Sequence, residues 1–579
     1  MNILGLTTMG ESAAVLIQDG NIIAAVEEER FTRIKHEGCF PIKSVEYCLN
    51  EAGISISEVD HIAIYWQPWR VWTRFCGVIK TVISNPKLFI RKIKLGFNEF
   101  HRDKNGVNND GSWIELFLVR RILKNNFGDT SAQIHYLDHH ECHIASGFYA
   151  SGFKEAITLV IDGGGEDHST TIASCSGSKI NVLRKFKWPN SLGHFYSAIT
   201  AFLGFKIFDG EYKMMGLAPY SKPKYLNFFR NKILISDGSG SYNLNTNILD
   251  YHNARINIFS ETLISAIGEP RAGDNEPFTE RHKSIASSAQ VAFEEVVMDL
   301  ANWAYENGGR KKNICIVGGC GLNCTANGLI LKDGPYEKIF VPPAPNDTGG
   351  ALGAAFLVHN KIDNSHNFKM DHAYFGPGYS DEEIGRQLSL RSLTSDYIHN
   401  EDSLIDKTSA VLKNGKIVAW FQGRMEFGPR ALGNRSFLAD PRNDSIGEEL
   451  NRKIKKRELF RPFAPSVLEE YISDFFEIEQ NSPFMTLIAK VKKEKMTHIP
   501  AVTHINGSAR IHSVSKSTNR RYWKLIESFR SKTKIPILLN TSFNIQEPIV
   551  CTPTEAIDTF LNSSVDYLVI GNHFVSRHT

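Results

Sequence analysis

The sequence predicts an α/β protein that contains an internal duplication and at least two domains. A strand, loop, strand, turn, strand pattern over residues 2–29 returns over residues 156–187, and the strands that follow alternate with helices. The length of 579 residues also exceeds what one ordinary hydrophobic core organises. Two such repeats indicate homologous halves whose first loops point at a shared cleft.

The two copies of the repeat match element by element. The first reads NILGLTT, MGE, SAAVLIQ, DG and NIIAAVEEE, and the second reads AITLVID, GGGEDH, STTIASCS, GS and KINVLRKFK. Alternation and β-branched residues favour strands in both. Between the copies, residues 65–134 contain several helix-compatible segments, and we predict a helical insertion with buried aromatic residues. An amphipathic membrane or partner surface is the alternative there.

The second half of the chain divides at a polar segment. A long helix is predicted for HKSIASSAQVAFEEVVMDLANWAYENG. A strand, a helix and a second strand are predicted to follow, in NICIVGG, CGLNCTANGLIL and EKIF. KIDNSHNFKMD then lacks periodicity, so we place domains at residues 1–365 and 366–579. The second domain has its own strands, such as KIVAWFQ, IPILLN and DYLVIG, and a helix, PTEAIDTFLN.

Composition narrows the functional classes. The net charge of +3 does not favour a dominant nucleic-acid surface. The nine cysteines include no C-x-x-C pair, which suits a reducing compartment, and we expect a cytoplasmic protein. The sequence begins without a basic region before its apolar residues, and no run approaches the roughly 20 apolar residues of a membrane span. Export and membrane insertion are not expected.

A histidine-rich helix start is the first candidate metal site. In HHECH, His139 and His143 are four residues apart, so a helix places both imidazoles on one face, where they can bind one ion. For the isolated pair, a purely structural role remains the alternative. His140 points away from the pair, and Cys142 is expected in the core.

Two aspartates strengthen the case for a metal. Asp162 ends an apolar strand and precedes Gly163 and Gly164, whose backbone N–H groups can approach phosphate. Asp347 lies in PPAPNDTGGALGAA, before a glycine-led helix start. Carboxylate and phosphate together imply a cation, although each aspartate alone could be a cap or turn residue. The Gly318–Gly319 turn fits a nucleotide or an ordinary βα connection equally well.

The second domain carries a dense set of cations and small polar residues. Arginine forks suit phosphate and carboxylate oxygens, and the neighbouring glycines allow the backbone close to a ligand. The alternative, a solvated charged face, fits less well because the cations alternate with glycine, proline and phenylalanine. The residues are Arg424, Arg430, Arg435, Lys455, Arg457, Arg461, His504, Arg510, Asn540, Thr541, Ser542 and Asn544.

These motifs together resemble the NodU/TobZ family of O-carbamoyltransferases over almost the whole chain. The resemblance is carried by AAVEEERFTRIKHE, DHHECHIASGFYASGF, VIDGGGE, SLGHFYSAITAFLGF, EYKMMGLAPY, VGGCGLNCTANG, NDTGGALGAA, GRMEFGPRALGNRS, RELFRPFAPSV, PAVTHINGSAR and LLNTSFN. It implies a duplicated actin/Hsp70/sugar-kinase-like (Kae1-like) domain followed by an α/β YrdC-like domain. It also implies that carbamoyl phosphate and ATP give carbamoyl-AMP in the second domain, and that the first transfers the carbamoyl group to a hydroxyl.

The resemblance also implies roles for individual residues. His139, His143, Asp162 and Asp347 would bind a metal, which in this family is Fe(II), although zinc or manganese suits the same ligands. The nucleotide cleft of the first domain would use Lys213, Gly216, Gly318, Gly319 and Asn323. Lys455 and Arg457 match a K-x-R element and Ser542 and Asn544 an S-x-N element of the second domain. Arg430, Arg461 and Arg510 would hold carbamoyl phosphate and the leaving phosphates.

From these roles we expect Lys455, Ser542, Arg510 and Arg430 to be catalytic. The expected cofactor-binding residues further include Arg424 and Asn540, and Mg²⁺ could serve the adenylation site. The acceptor would be a small natural product or sugar, and the protein a monomer or homodimer. Two alternatives remain: a threonylcarbamoyl-transfer protein acting on tRNA, and an actin-like nucleotide-binding module with altered catalysis.

The first N-terminal loop departs from the family pattern. Family members carry His-Asp where this chain has Met9 and Gly10. Methionine cannot accept a proton at neutral pH. The acceptor hydroxyl would therefore lose its proton to another group, with His36 and His168 as candidates, unless the transfer step is altered or lost.

Overall fold

The computed structural model describes residues 1–70, 113–249, 251, 259–273, 276–364 and 368–577. The chain forms two compact units. Unit 1 comprises Met1–Ile23 and His36–Lys369, and unit 2 comprises Ala24–Lys35 and Met370–Thr579. The segment Ala24–Lys35 thus belongs to unit 2, whereas the sequence had not distinguished it from the first domain. No helix in the described part of the chain combines the length and apolar character needed to span a bilayer.

The first sheet contains the first copy of the repeat. Its strands are β1 Asn2–Thr7, β2 Ala13–Gln18, β3 Asn21–Glu27, β4 His61–Ile64 and β5 Gln133–Tyr136. These strands belong to unit 1 except for the end of β3, from Ala24 onward, which belongs to unit 2. The spatial order is β3-β2-β1-β4-β5. β1 is antiparallel to β2 and parallel to β4, and β4 is parallel to β5.

The second sheet repeats this topology. Its strands are β6 Glu155–Ile161, β7 His168–Ser176, β8 Lys179–Lys187, β11 Asn313–Val317 and β12 Lys338–Phe340, while β9 Leu234–Ser236 and β10 Tyr242–Leu244 form a separate hairpin. The order is β8-β7-β6-β11-β12. β6 is antiparallel to β7 and parallel to β11, as β1 is to β2 and β4. The predicted duplication and α/β class are confirmed.

Helices cover these sheets. Those of unit 1 are Ile42–Ala52, Trp113–Phe117, Val119–Phe127, His139–Ser151, Leu192–Phe202, Glu211–Leu217, Leu226–Phe228, Glu261–Ile267, Glu280–Asn307, Cys324–Asp333 and Asp347–Asp363. The buried helices His139–Ser151 and Asp347–Asp363 pack against each other. A Cβ on Gly353 would lie 1.8 Å from the carbonyl oxygen of Cys142. Glycine is therefore required for this close approach, which brings the N-terminal ends of both helices into one region.

The predicted insertion is only partly described. Most of it, residues 71–112, lies outside the described residues. The described remainder includes the helices Trp113–Phe117 and Val119–Phe127.

Unit 2 is built on one nine-stranded mixed sheet. Its strands are β13 Asp396–Tyr397, β14 Val418–Phe421, β15 Arg435–Ala439, β16 Ala464–Leu468, β17 Leu487–Lys490, β18 Ser508–Val514, β19 Ile537–Ser542, β20 Tyr567–Ile570 and β21 His573–Ser576. The order is β13-β21-β20-β14-β15-β19-β16-β18-β17. Its helices are Glu29–Thr32, Asp381–Leu390, Glu401–Lys413, Ser445–Glu449, Ile472–Phe475, Arg520–Thr533 and Pro553–Asn562.

Polar contacts attach the segment Ala24–Lys35 to the rest of unit 2. The Glu27 carboxylate accepts the N–H of Gly428 at 2.5 Å, and the Arg30 guanidinium donates to the carbonyl of the same glycine at 3.0 Å. Arg33 donates to the carbonyl oxygen of Ile549 at 2.8 Å. Glu27 and Arg30 are buried and paired, so the segment is an integral part of this unit.

Candidate functional site

Four side chains of unit 1 converge on one point. His139 and His143 lie one turn apart, and their Nε2 atoms are 3.1 Å from each other. The Nε2 atom of His139 is 3.3 Å from Oδ2 of Asp162, and that of His143 is 3.4 Å from Oδ1 of Asp347. The four potential ligand atoms all lie within 4.8 Å of one another. The structure thus brings together all four predicted metal ligands.

The surrounding elements explain this geometry. Asp138 caps the helix that begins at His139 by accepting the N–H of Glu141, so both histidines fall in its first turns. Asp162 directly follows β6, and its Oδ1 accepts the N–H of Gly319 at 3.0 Å. Asp347 is the first residue of its helix.

The electrostatics of the cluster favour a bound cation. Burial alone would lower the pKa of His139, but a hydrogen bond with Asp162 and the charge of Asp347 raise that pKa to about 9. Although burial opposes ionisation of Asp162, the hydrogen bond with His139 and the charge of His143 hold its pKa well below the usual range. Two imidazole nitrogens and two carboxylates facing one point are a donor set that divalent Fe, Zn and Mn accept.

The neighbours of the cluster have other roles. His140 bonds through Nδ1 to the hydroxyl of Thr171 at 2.7 Å, and Cys142 is buried, so both have the structural role expected from the sequence. Sequence analysis missed Glu166, whose carboxylate accepts the N–H groups of Gln67 and His139 at 3.1 and 3.2 Å. Glu166 therefore holds the start of the histidine helix.

The glycine-rich turns beside the cluster are tightly packed. Gly318 has a φ of +87°, and a Cβ there would lie 2.3 Å from the carbonyl oxygen of Ile161. The carbonyl of Gly163 accepts the hydroxyl of Ser191 at 2.8 Å, and Gly164 approaches Trp188. Gly318 therefore needs to be glycine for local packing, independently of any nucleotide.

The other predicted nucleotide-binding residues of unit 1 lie on two helices. Lys213 and Gly216 belong to Glu211–Leu217, and the Lys213 ammonium is 5.7 Å from the centroid of the Phe205 ring. Asn323 caps the helix Cys324–Asp333, and its amide exchanges hydrogen bonds with Gln290 at 3.1 and 3.2 Å.

In unit 2 a buried lysine joins two predicted elements. The Lys455 ammonium contacts Ser542 at its carbonyl oxygen, 2.8 Å, and at its hydroxyl oxygen, 3.2 Å. It also contacts Asn544 at the carbonyl oxygen, 2.7 Å, and the side-chain oxygen, 2.6 Å. Burial lowers the pKa of Lys455 well below its usual range, and the charges of Arg457 and Arg461 lower it further.

The predicted cations next to Lys455 are held by local contacts. Arg457 donates through Nε to the side-chain oxygen of Asn451 at 2.6 Å, and Arg461 lies 3.4 Å from the Glu458 carboxylate. Arg510 lies on β18. Burial, with a smaller contribution from the charge of Arg510, lowers the pKa of His504 to about 4.

The remaining predicted residues of unit 2 surround the loop that contains Arg430. Arg424 donates to the carbonyl oxygens of Phe375 and Gly376 at 2.6 and 3.1 Å. Asn540 is buried, and its amide donates to the carbonyl of Ala431 at 3.1 Å. Arg435 is fully buried and donates to several backbone carbonyls, including that of Gln422 at 2.7 Å, so it stabilises the fold.

Glu426, which together with Pro429 is expected from the sequence to fix the local geometry here, organises this loop. Its Oε1 accepts the N–H groups of Leu432, Asn434 and Arg435 at 2.7, 2.8 and 3.3 Å. The side chain is buried. A single carboxylate therefore fixes the loop Phe427–Arg435 around Arg430.

We expect Glu426→Ala to lower the free energy of unfolding by about 3 kcal/mol, because each buried N–H left without an acceptor costs about 1–3 kcal/mol. Urea unfolding followed by tryptophan fluorescence measures the change, since Trp420 is buried in the same unit. Glu426→Gln keeps an acceptor oxygen and should lose less stability. Equal losses for the two variants would contradict this role.

Comparison with known proteins identifies the family. The model of the carbamoyltransferase N-terminus matches residues 2–356, and that of the carbamoyltransferase C-terminus matches residues 409–577. The chain belongs to the carbamoyltransferase family. Carbamoyl transfer, the function predicted from the sequence, is confirmed at this level, and the protein is a transferase.

Relatives of similar length support the assignment. The uncharacterized protein sll1178 of Synechocystis sp. is 39% identical over 609 residues, which cover all of this chain and 97% of that protein. Nodulation protein NolNO of Sinorhizobium fredii is 37% identical over 584 residues, covering 99% of this chain and 80% of that protein. Nodulation protein NolO of Bradyrhizobium diazoefficiens is 40% identical over 448 residues, covering 76% of this chain and 79% of that protein.

Proposed function

We propose that this carbamoyltransferase forms carbamoyl-AMP from carbamoyl phosphate and ATP in unit 2 and transfers the carbamoyl group to a hydroxyl of a small molecule in unit 1. The observation that carries the proposal is the contact of the buried Lys455 ammonium with both Ser542 and Asn544. A buried ammonium among neutral oxygens, close to two arginines, is suited to an anionic ligand, which offsets the cost of burying these charges.

The chemistry of unit 2 follows from its cations. Water hydrolyses carbamoyl phosphate to carbamate and inorganic phosphate, and a carbamate oxygen then attacks the α-phosphorus of ATP as pyrophosphate leaves with the bonding electrons. Negative charge shifts onto departing phosphate oxygens in both steps. The charges of Arg457 and Arg461 both act on Lys455, and these three cations would bind those oxygens, with Arg430 and Arg510 as further ligands.

The chemistry of unit 1 depends on the four-residue cluster. His139, His143, Asp162 and Asp347 would hold a divalent cation, which we propose to be Fe(II), and a bound cation would neutralise nucleotide phosphate charge. Asp162 would keep its position through its bond with the Gly319 N–H. Glu166 would hold the first turn of the histidine helix. Hydroxyls of natural products or sugars are the proposed acceptors.

The half-reactions can be measured separately. The purified chain with Mg²⁺, ATP and carbamoyl phosphate is expected to release pyrophosphate, and omission of carbamoyl phosphate should stop the release. ATP binding without pyrophosphate release would overturn adenylate formation. Consumption of bicarbonate and threonine instead would point to threonylcarbamoyl transfer. Mass spectrometry of a panel of sugars and aminoglycosides, scored for the gain of one carbamoyl group, tests the acceptor class.

A further inference from the structure

A histidine and a glutamate form a dyad next to the metal cluster in unit 1. The Nδ1 atom of His36 lies 2.7 Å from Oε1 of Glu11. The other carboxylate oxygen of Glu11 accepts a hydrogen bond from the side-chain amide of Asn346, the residue that precedes Asp347. A Cβ on Gly10 would lie only 3.3 Å from Oδ2 of Asp347. Glu11 is therefore linked to Asp347 in two ways, through its chain neighbour Gly10 and through Asn346.

This dyad is not needed to join its two segments. The N–H of Met9 bonds to the carbonyl of Gly38 at 2.8 Å, and the N–H of Ser12 bonds to that of Glu37 at 2.7 Å. The hydroxyl of Thr8 adds a third bond, to Gly38, at 3.0 Å. These bonds already hold the two backbone segments together. The hydrogen bond between the partly exposed side chains of His36 and Glu11 is therefore not required for that purpose. His36 also has a φ of +54°, a conformation uncommon for a residue with a side chain.

From this arrangement we propose that His36 is the general base that deprotonates the acceptor hydroxyl and that Glu11 is its positioning residue. The proposal rests on the proposed hydroxyl transfer. Glu11 accepts the Nδ1 proton, which leaves the basic lone pair on Nε2. The side chains of His36 and Glu11 are 26% and 25% exposed, so the dyad borders solvent where an acceptor can approach.

The step balances without a further reactant. Nε2 of His36 takes the hydroxyl proton as the acceptor oxygen forms a bond to the carbamoyl carbon. The bond between that carbon and the phosphate oxygen breaks, and AMP leaves with the electron pair. The imidazolium then releases its proton to solvent.

The other candidate base has a different setting. His168 begins β7, and its ring lies 6.4 Å from that of His140, measured between centroids. Burial and the charge of Lys185 lower the pKa of His168, which makes it a weaker base. His168→Gln therefore tests the competing candidate directly.

The transfer test uses the full chain and the hydroxyl compound identified in the acceptor panel. His36→Gln should lower kcat for carbamoyl transfer by about 10²–10⁴-fold, the usual contribution of a general base, with KM for the acceptor and pyrophosphate release unchanged. His399→Gln, which replaces an exposed histidine of unit 2 with no proposed role, is the control and should retain transfer. A loss of transfer in His168→Gln, with His36→Gln still active, would assign the base to His168 and overturn the inference. A wild-type rate for His36→Gln would overturn the inference. Wild-type protein that releases no pyrophosphate would instead contradict the proposed function.

A second measurement needs no acceptor. Diethyl pyrocarbonate modifies basic imidazole nitrogens, and peptide mass spectrometry quantifies the labelling of His36. Glu11→Gln removes the anion that polarises the ring, so His36 should be labelled more slowly than in the wild type, while labelling of the exposed His399 stays the same. Equal labelling of His36 in both proteins would overturn the dyad. This outcome decides the question even if the panel contains no acceptor.

Discussion

Lys455→Ala is expected to lower carbamoyl-phosphate-dependent pyrophosphate release by at least about 10²-fold, the cost of removing one preorganised charge-stabilising donor. Lys455 is buried and contacts both Ser542 and Asn544, so no solvent-exposed cation can take its place. The loss should appear mainly in kcat, because charge on the departing phosphates increases in the transition state. A coupled pyrophosphate assay with the full chain measures it.

Two further variants separate chemistry from folding. Lys455→Met keeps an unbranched side chain of similar length without the charge, and it should be as inactive as alanine while losing less stability. Lys453→Ala removes the same charge from an exposed residue that pairs with Glu449 at 3.0 Å, and its activity should match the wild type. Activity retained by Lys455→Met, or lost equally by Lys453→Ala, would contradict the proposed role.

The sequence predicted the repeated meanders because alternation and turn residues are local signals. β1, β2, β6 and β7 coincide closely with their predicted runs. No local sequence pattern indicated that Ala24–Lys35 belongs to unit 2. This placement depends on bonds from Glu27 and Arg30 to Gly428, which lies about 400 residues away in the chain. Such pairings are decided by tertiary packing, which single-sequence patterns do not contain.

The four-residue cluster was likewise only partly predictable from local sequence signals. The helical spacing of His139 and His143 could be read directly, whereas Asp162 and Asp347 depended on motif context. Glu166 escaped notice because an isolated glutamate has no periodicity, whereas Glu426 was expected to fix the local geometry of its loop. Their importance comes from the backbone N–H groups that they accept.

The departure at the first loop has a structural basis. Met9 and Gly10 both have positive φ angles, +70° and +118°, and Gly10 lies against the carboxylate of Asp347. An aspartate at residue 10, as the family resemblance would lead one to expect, would be strained in this backbone and would place a second anion next to Asp347. The chain instead has its acidic side chain one residue later, at Glu11, where it contacts His36.

Under the proposed metal role of the cluster, His139→Ala is expected to abolish metal binding and to lower carbamoyl transfer by more than about 100-fold, because even supporting residues around a metal contribute about 10–100-fold. His139 faces His143, Asp162 and Asp347 simultaneously, so its loss leaves two carboxylates near each other with one imidazole between them. Pyrophosphate release should persist, since the residues proposed for that reaction lie in unit 2. Metal content by inductively coupled plasma mass spectrometry provides a readout that does not depend on activity.

The matched control for His139 lies next to it on the same helix. His140 is also buried, but its Nδ1 bonds to the hydroxyl of Thr171, so His140→Asn keeps a polar group for that partner and leaves the cluster intact. This variant should retain both metal and transfer. If His139→Ala also abolished pyrophosphate release while its thermal stability matched that of His140→Asn, the division of the two half-reactions between the units would be wrong. Adenylate formation would then depend on the metal cluster.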